Sequence, residues 1–343
     1  MSDISIRIEG CAGRITLQRP DALNALTYDM VLAIEAALDD WRGADIDLVL
    51  LDAEGDRAFC SGGDIADMYK SGQEGDLDYG RRFWRDEYRL NAKIFEYPKP
   101  VVSFLQGFTM GGGVGVGCHG THRIVGDSSQ IAMPECGIGL VPDVGGSLML
   151  ALAPGRLGEY LGTTATRMGP ADAIYAGFAD AYLPEAEWGA LKAQLVQTGE
   201  IPDLTAIPPE GTLQALRPQI DYHFSGETLA DILRSLASEQ TEFTAHALKA
   251  IGRNAPLAMA CSVEITHRLR GARSIRQALD QEFRYTYRAV AQGDFIEGIR
   301  AAIIDRDRQP KWAHEGPDKV KDIEVAQMLL PLGSEALNWE DMP

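Results

Sequence analysis

The sequence predicts an α/β protein up to about residue 200, followed by a region built of helices. Two nearly all-apolar runs, 47–52 and 100–105, have the composition of central strands that are covered on both faces. Stretches with apolar residues at helical spacing alternate with these runs, as in a layered α/β core. Strand signals nearly vanish after Gly226, so helices are predicted from there onward.

The N-terminal elements follow from their hydrophobic periods. Residues 4–9 alternate apolar and polar side chains, as a half-buried strand does, and residues 14–17 alternate again after Gly13. Together they predict a hairpin. Residues 28–41 carry a helical stripe of apolar side chains, which consists of Met30, Val31, Ile34, Ala37, Leu38 and Trp41.

The C-terminal elements are predicted in the same way. The proline-containing segment 201–211 is typical of a linker or an extended crossing. Residues 229–236 have helical spacing. Ser274 and Gln277 have the form of a capping box that opens a long helix, with Leu279 and Phe283 on one face.

Composition excludes several classes of protein. The chain has 343 residues with 32 Lys and Arg against 50 Asp and Glu, a net charge of −18. A general nucleic-acid binder is excluded, because its affinity comes largely from neutralising phosphates. The longest apolar run, 148–153, is far shorter than the ~20 residues of a membrane span, and residues 1–4 do not resemble the start of an export signal. Five scattered cysteines without a CxxC pair predict reduced thiols and a cytoplasmic location.

Two glycine-rich loops each follow an apolar strand and precede a predicted helix. They are Ala58–Ile65 and Gly107–Gly115. At a helix N-terminus the free backbone N–H groups favour negative charge, and two such donors aimed at one point make an oxyanion hole. The alternative is ordinary turn glycine, which the repeated strand–loop–helix context disfavours.

Two nearby patterns favour less specific interpretations. Gly115–Gly120 matches the dinucleotide pattern GxGxxG, but further glycines separate it from the preceding strand, so dinucleotide binding is not predicted. His119 and His122 are predicted on the helix that follows the second loop. Packing or surface positions are favoured over metal binding for this pair, since most such pairs lack a third ligand.

Glu135 and Asp143 lie in an apolar segment, 133–146, rich in glycine and proline. Apolar surroundings raise the pKa of a carboxyl group and make it a usable general acid or base. The alternative is a pair of surface carboxylates in a turn. The sparse charge of this segment favours the functional interpretation.

These segments resemble the enoyl-CoA hydratase/isomerase (crotonase) superfamily, and segment 135–146 with the C-terminal signature is most similar to its thioester hydrolase branch. The matching segments are 58–65, 109–115, 132–146, the Glu-Tyr-x-Leu-Asn helix at 84–91, and the signature at 294–301 with 310–312. The resemblance implies a crotonase-like β-β-α spiral core with a helical C-terminal region. Residues 1–200 would form the acyl-CoA-binding catalytic core. Residues 201–343 would be a linker and helices that complete the site or mediate assembly.

The resemblance also implies the roles of single residues. Glu135 would be the acid/base or nucleophilic carboxylate, and Asp143 would assist it or hold a substrate hydroxyl. Hydratases of the family carry a second catalytic glutamate where this chain has Gly115. The other implied site residues are Gly63 and Gly112 for the oxyanion hole, and Glu87, Gly62 and Asp64 for substrate binding.

The implied activity is hydrolysis of a short 3-hydroxyacyl-CoA thioester, with 3-hydroxyisobutyryl-CoA from valine catabolism as the first expected substrate. No metal or redox cofactor is expected, because CoA is part of the substrate. Arg19, Arg57 and Lys99 are candidates for holding its phosphates. The expected partners are the acyl-CoA and further copies of the chain, with no nucleic acid and no membrane. An enoyl-CoA hydratase or isomerase, or a non-catalytic acyl-CoA binder, stays open as an alternative.

Overall fold

The computed structural model describes residues 2–340 and divides into two compact units. Unit one comprises the residues up to Asp64, Arg89–Ala132 and Arg167–Gln214. Unit two comprises Ile65–Tyr88, Met133–Thr166 and the residues from Ala215 onward. The chain therefore returns to each unit several times. The division at residue 200 stays a prediction, and these contact-based units do not follow it.

Every strand of the described residues lies in unit one. The strands are β1 (Ile4–Glu9), β2 (Ala12–Leu17), β3 (Leu48–Ala53), β4 (Ala58–Cys60), β5 (Val101–Leu105), β6 (Phe108–Met110), β7 (His122–Val125), β8 (Gln130–Ala132) and β9 (Ala181–Tyr182). The larger sheet has the order β1-β2-β3-β5-β7-β9, and the smaller sheet has the order β4-β6-β8.

The predicted hairpin and central strands are confirmed. β1 pairs antiparallel with β2, with Ile4 opposite Leu17, while the remaining pairs of the larger sheet are parallel. β5 is buried along its whole length, and β3 is buried except at Ala53. Central parallel strands covered on both faces need continuous apolar sequence, which explains the two apolar runs.

Helices occur in both units. They are α1 (Tyr28–Arg42), α2 (Ala66–Gln73), α3 (Asp78–Phe95), α4 (Gly112–Gly117), α5 (Gly146–Leu152), α6 (Leu157–Thr164), α7 (Pro170–Tyr175), α8 (Trp188–Thr198), α9 (Leu213–His223), α10 (Leu229–Ala237), α11 (Glu242–Ile251), α12 (Pro256–Arg268), α13 (Ile275–Gln292), α14 (Phe295–Ile299) and α15 (Asp322–Met328). No helix of residues 2–340 is long and apolar enough to cross a membrane.

The core of unit one lies between the larger sheet and α8. The Phe104 ring on β5 packs edge-on against Trp188 on α8, with ring centroids 5.3 Å apart. The cluster consists of Ala12, Leu48, Leu50, Val102, Phe104, Ile124, Leu183, Trp188, Leu191 and Leu195. Burial of these side chains fixes the sheet, so the loops that leave its strands have a rigid base.

Unit two is helical, as the disappearance of strand signals predicts. The long helix near Ser274 exists as α13, but the capping box is wrong, because the Ser274 side chain makes no cap hydrogen bond. Instead, α10 begins with a capping box between Thr228 and Asp231. The described segment 201–211 contains neither a helix nor a strand, in agreement with a linker or crossing.

The cysteines are free thiols. Cys60, Cys118, Cys136 and Cys261 are buried, whereas Cys11 is half-buried. Burial raises the pKa of Cys118 to about 12, and it raises the pKa values of Cys136 and Cys261 as well.

Candidate active site

The two glycine-rich loops of unit one lie side by side. β4 and β6, the strands that lead into them, pair in parallel, with Cys60 opposite Thr109. Gly62 has φ +117°, and a Cβ there would lie 3.3 Å from the Met110 carbonyl oxygen and 3.9 Å from the Gly112 nitrogen. A side chain at this position would be strained and crowded, so glycine is required where the loops converge.

Gly63 and Gly112 keep their N–H groups outside the backbone pairing. Leu26 N–H donates to the Gly62 carbonyl at 2.9 Å, and Asp64 N–H donates to the Leu26 carbonyl at 2.7 Å. The Gly63 N–H takes no part in this pairing. Gly112 is the first residue of α4, where an N–H has no intrahelical acceptor. Within residues 2–340, neither N–H donates a backbone hydrogen bond.

Two of the cations predicted to hold the CoA phosphates, Arg19 and Lys99, have partners of their own. Asp64 forms an ion pair with Arg19, with 3.1 Å between Oδ2 and Nη2. Lys99 donates to the Trp41 and Ala44 carbonyls at 3.0 and 2.6 Å, so it closes the end of α1. Arg57 is exposed. The substrate-binding roles of Gly62 and Asp64, and a role for any of these cations with CoA, stay predictions.

Unit two buries four carboxyl groups that interact electrostatically. Glu87 on α3, Glu135, Asp143 and Glu282 on α13 are each at most 4% exposed. In the described part of the chain, no lysine or arginine forms an ion pair with any of them. Because each charge is desolvated and faces other acids, protonation of the group is favoured.

Glu135 begins a 3-10 turn, Glu135–Ile138, that directly follows Pro134. Its Oε2 is buried and accepts no hydrogen bond within residues 2–340. Burial first, and then the charges of Asp143, Glu282 and Glu87, raise the pKa of Glu135 well above its usual range. The free oxygen of a carboxyl group with a raised pKa is suited to proton transfer or nucleophilic attack.

Asp143 is held by a tyrosine. The Tyr88 hydroxyl on α3 donates to Asp143 Oδ2 at 2.7 Å and lies 3.4 Å from Thr286 Oγ1. Burial raises the pKa of Asp143 to about 7, although the Tyr88 hydrogen bond lowers it. Burial, followed by the charges of Asp143 and Glu282, raises the pKa of Glu87.

Glu282 is a member of this group that the sequence analysis missed. Its Oε2 accepts from Gly145 N–H at 2.9 Å, and its Oε1 accepts from Ser147 N–H at 3.1 Å and from the Ser147 hydroxyl. Burial and the Asp143 charge raise the pKa of Glu282 to about 8, against the effect of these hydrogen bonds. The sequence does contain a signal for Glu282, because this acid lies on the same apolar face of α13 as Leu279 and Phe283.

One sequence interpretation, that of the histidine pair, needs correction. His119 and His122 do not share a helix, because α4 ends at Gly117 and His122 begins β7. The GxGxxG match extends beyond the end of α4, so only its first three residues are helical. This segment has no strand directly before the match, and it therefore lacks the context of a dinucleotide site.

The chain matches a known family model along most of its length. The model, described as enoyl-CoA hydratase/isomerase, covers residues 12–329. The mitochondrial 3-hydroxyisobutyryl-CoA hydrolase of Gallus gallus is 32% identical, over 98% of this chain and 91% of that protein. The mitochondrial 3-hydroxyisobutyryl-CoA hydrolase of Danio rerio is 35% identical, over 91% of this chain and 85% of that protein.

Solved structures agree with this match. A crystal structure of an enoyl-CoA hydratase from Rhodobacter sphaeroides 2.4.1 is 56% identical with a TM-score of 0.95, over 98% of this chain and all of that chain. A carnitinyl-CoA dehydratase from Mycobacterium thermoresistibile is 36% identical with a TM-score of 0.92, over 99% of this chain and all of that chain. The predicted α/β fold is confirmed.

Proposed function

This chain belongs to the enoyl-CoA hydratase/isomerase family, and on that premise we propose that it is a thioester hydrolase that converts 3-hydroxyisobutyryl-CoA to 3-hydroxyisobutyrate and CoA. The observation that carries the proposal is Glu135, a buried carboxyl group with one unbonded oxygen. The relatives named 3-hydroxyisobutyryl-CoA hydrolase support this substrate. The active-site roles described below belong to the same proposal.

The N–H groups of Gly63 and Gly112 are proposed to bind the thioester carbonyl oxygen. Negative charge grows on this oxygen as the carbonyl carbon is attacked, so both hydrogen bonds strengthen toward the transition state. One donor of this kind typically contributes about 100- to 1000-fold in rate. Glycine at both positions lets the substrate approach the backbone closely.

Glu135 is proposed to begin the reaction in its ionised form. It either attacks the carbonyl carbon to form a mixed anhydride, or it takes a proton from the water that attacks. In both routes the C–S bond breaks and CoA leaves as a thiolate that takes up a proton. In the anhydride route, water then releases the hydroxy acid and restores the Glu135 carboxylate.

Asp143 and Glu87 are proposed to complete the acyl site. Asp143, whose pKa is raised to about 7, is suited to accept a hydrogen bond from the substrate hydroxyl or to exchange a proton with Glu135. Glu87 is proposed to line the acyl pocket. The activity is proposed to need no metal or redox cofactor, since these groups supply acid, base and nucleophile.

A second candidate is an enoyl-CoA hydratase on the same fold. The names of the Rhodobacter and Mycobacterium structures favour it. Hydration by the usual two-glutamate route needs a second carboxylate on the second loop, where this chain has Gly115 inside α4. Hydrolysis needs only one carboxylate with an oxyanion hole and water, so it fits the residues present.

Identification of the products separates the candidates. Wild type and Glu135→Gln are incubated with 3-hydroxyisobutyryl-CoA, and free CoA is followed with a thiol reagent. We expect strong release by wild type, a loss of about 1000-fold in the variant, and unchanged ligand affinity. Crotonyl-CoA consumption by wild type without thiol release would establish the hydratase instead. Binding without turnover of either substrate would establish a non-catalytic binder.

Two further properties belong to the proposal. Homo-oligomers are proposed from the resemblance. Sedimentation of the purified chain in the analytical ultracentrifuge measures its mass in solution and tests this proposal. A cytoplasmic location is proposed because four of the five cysteines are buried free thiols. The two curated relatives described above are named as mitochondrial, so fractionation of the source cells decides between the compartments.

A further inference from the structure

Glu282 differs from Glu135 because both of its carboxyl oxygens accept hydrogen bonds. Oε2 accepts from Gly145 N–H, and Oε1 accepts from Ser147 N–H and the Ser147 hydroxyl. Glu135, in contrast, has Oε2 without a partner within residues 2–340. Glu282 therefore has no oxygen free to attack a substrate, and its hydrogen-bond donors, Gly145 and Ser147, lie where the turn after Asp143 enters α5.

That turn has an unfavourable backbone conformation. Val144 has φ +54° and Gly145 has φ +80°, so two consecutive left-handed residues connect Asp143 to α5. A β-branched residue is rarely found there, and such strain persists only where surrounding contacts over-determine the conformation. The three hydrogen bonds that Glu282 accepts from Gly145 and Ser147 are contacts of this kind.

We propose that Glu282 is a positioning residue, which ties the turn after Asp143 to α13 and thereby fixes the Asp143 carboxylate for the reaction. The inference rests on the proposed hydrolase function. Tyr88 holds Asp143 Oδ2 from α3, and Glu282 holds the following backbone from α13. Tyr88 thus holds the side chain of Asp143, and Glu282 holds the backbone that follows it.

The charges around Glu282 make the role measurable. The Asp143 charge raises the pKa of Glu282, and the Glu282 charge raises the pKa values of Glu135, Glu87 and Tyr88. α5 contributes no titratable side chain. α12 contributes the neutral Cys261 thiol near Tyr285 and Arg268, which donates to Gln281, while Arg81 and Arg85 of α3 lie over the Tyr287 and Phe283 rings. On the other side of α13, Arg284 and Arg288 donate to carbonyls of residues 328–330. Removing the Glu282 charge therefore removes a repulsion that opposes ionisation of Glu135.

The first test compares Glu282→Gln with Glu242→Gln, which removes an exposed carboxylate on α11 of the same unit. For Glu282→Gln we expect kcat to fall about 100-fold with KM within threefold. The acid limb of the kcat profile should move to lower pH by about one unit. Glu242→Gln should leave all three unchanged. A purely structural role would lower the melting temperature without moving the acid limb, and that result would overturn the proposal.

A second variant covers the outcome in which Glu282→Gln does not fold. Ser147→Ala removes one hydrogen bond to Glu282 and keeps its charge, so we expect a several-fold lower kcat with the acid limb unmoved. Wild-type kcat in Ser147→Ala, together with a Glu282→Gln variant that does not fold, would argue for a structural role alone and count against positioning.

A titration without substrate separates this inference from the proposed function. Carboxyl groups labelled with 13C are followed by NMR in wild type and Glu282→Gln. We expect the midpoint of Glu135 to fall in the variant, whether or not the wild type releases CoA, because the Glu282 charge raises the pKa of Glu135. An unchanged midpoint would overturn the inference, whereas absence of CoA release with a shifted midpoint would overturn only the hydrolase.

Discussion

Two buried carboxyl groups, Glu35 in unit one and Glu135 in unit two, have opposite electrostatics. In unit one, Glu35 is 7% exposed and contacts Arg89 at 2.6 Å and Lys93 at 3.1 Å. Burial opposes its charge, but the two cations outweigh burial and the pKa of Glu35 is lowered. In unit two, Glu135 is buried to a similar extent without a cationic partner in the described residues, and its pKa is raised.

Burial alone therefore does not produce a reactive carboxyl group. The pair Glu35–Arg89 resembles an ordinary internal ion pair, in which charge is neutralised and both groups are held in place. The cluster of unit two keeps protons within reach of neutral pH, which general acid–base chemistry requires. A buried acid without a cation is thus the stronger indication of function.

The largest expected effect tests the reactive side of this comparison. Asp143→Asn keeps the shape of the side chain and removes its charge and its proton exchange. We expect CoA release to fall about 100- to 1000-fold, while Glu35→Gln leaves kcat within threefold. Steady-state kinetics on both variants measures the difference. Equal losses in the two variants would show that burial, and not chemistry, governs both sites.

The next effect concerns stability in unit one. Lys93 is almost fully buried between Glu35 and Asp39, at 3.1 and 2.5 Å. Lys93→Met keeps the packing of the stem and leaves two carboxylates with less compensation, so we expect the free energy of unfolding to fall by about 3 kcal/mol. Urea denaturation measures it. Adding Glu35→Gln should restore part of the loss, and an additive double variant would contradict the coupling.

The pH dependence of stability should differ between the units. The pKa of Asp143 rises from 3.8 to about 7 and that of Glu282 from 4.5 to about 8 in the folded chain. The folded state therefore holds more protons than the unfolded state between pH ~4 and ~8, and the stability from these two groups is lost as pH rises through this range.

Asp143→Asn should flatten this decline by on the order of 1–3 kcal/mol between pH 5 and 8, measured by urea denaturation at several pH values. Glu35 has a lowered pKa and changes the free energy of unfolding in the opposite direction, because its stabilisation is lost as pH falls through its folded pKa. A decline that stays as steep in Asp143→Asn would contradict the assignment to this cluster.

The smallest effect sharpens the role of Tyr88. Its hydroxyl lowers the pKa of Asp143, so Tyr88→Phe should raise that pKa by about one unit. The acid limb of the pH profile of kcat should then move to higher pH, opposite to the shift expected for Glu282→Gln. A pH–rate profile measures both variants. Shifts in the same direction would mean that packing, and not hydrogen bonding, determines the pH midpoint of the acid limb.

Local sequence was sufficient to predict several of the strands and helices and to single out Glu135 and Asp143 as candidate site residues. Strand and helix periods predicted β1, β2, β3, β5 and α13, because each is fixed by a run of neighbouring residues. Glu135 and Asp143 were found because they share one apolar segment. Their roles, and those of Gly63 and Gly112, stay predictions that the proposed experiments test.

Long-range contacts account for what the sequence analysis missed. Glu282 meets Ser147 only after α13 packs against α5, and no spacing rule connects residues so far apart in the chain. The failed capping box at Ser274 has a similar cause, since tertiary context decides which side chain caps a helix. The change in composition near residue 200 likewise reflects only neighbouring residues, whereas each compact unit combines segments that are distant in the chain.

The buried cysteines determine how the hydrolysis assay can be read. Thiol reagents react with thiolates, and the raised pKa values of Cys118, Cys136 and Cys261 leave these groups protonated and covered. Cys60 is also buried, and Cys11 is half-buried with a raised pKa. The native enzyme should therefore give a background of at most about one thiol equivalent per chain. Free CoA above that stoichiometry then counts turnovers directly, without a separate quenching step.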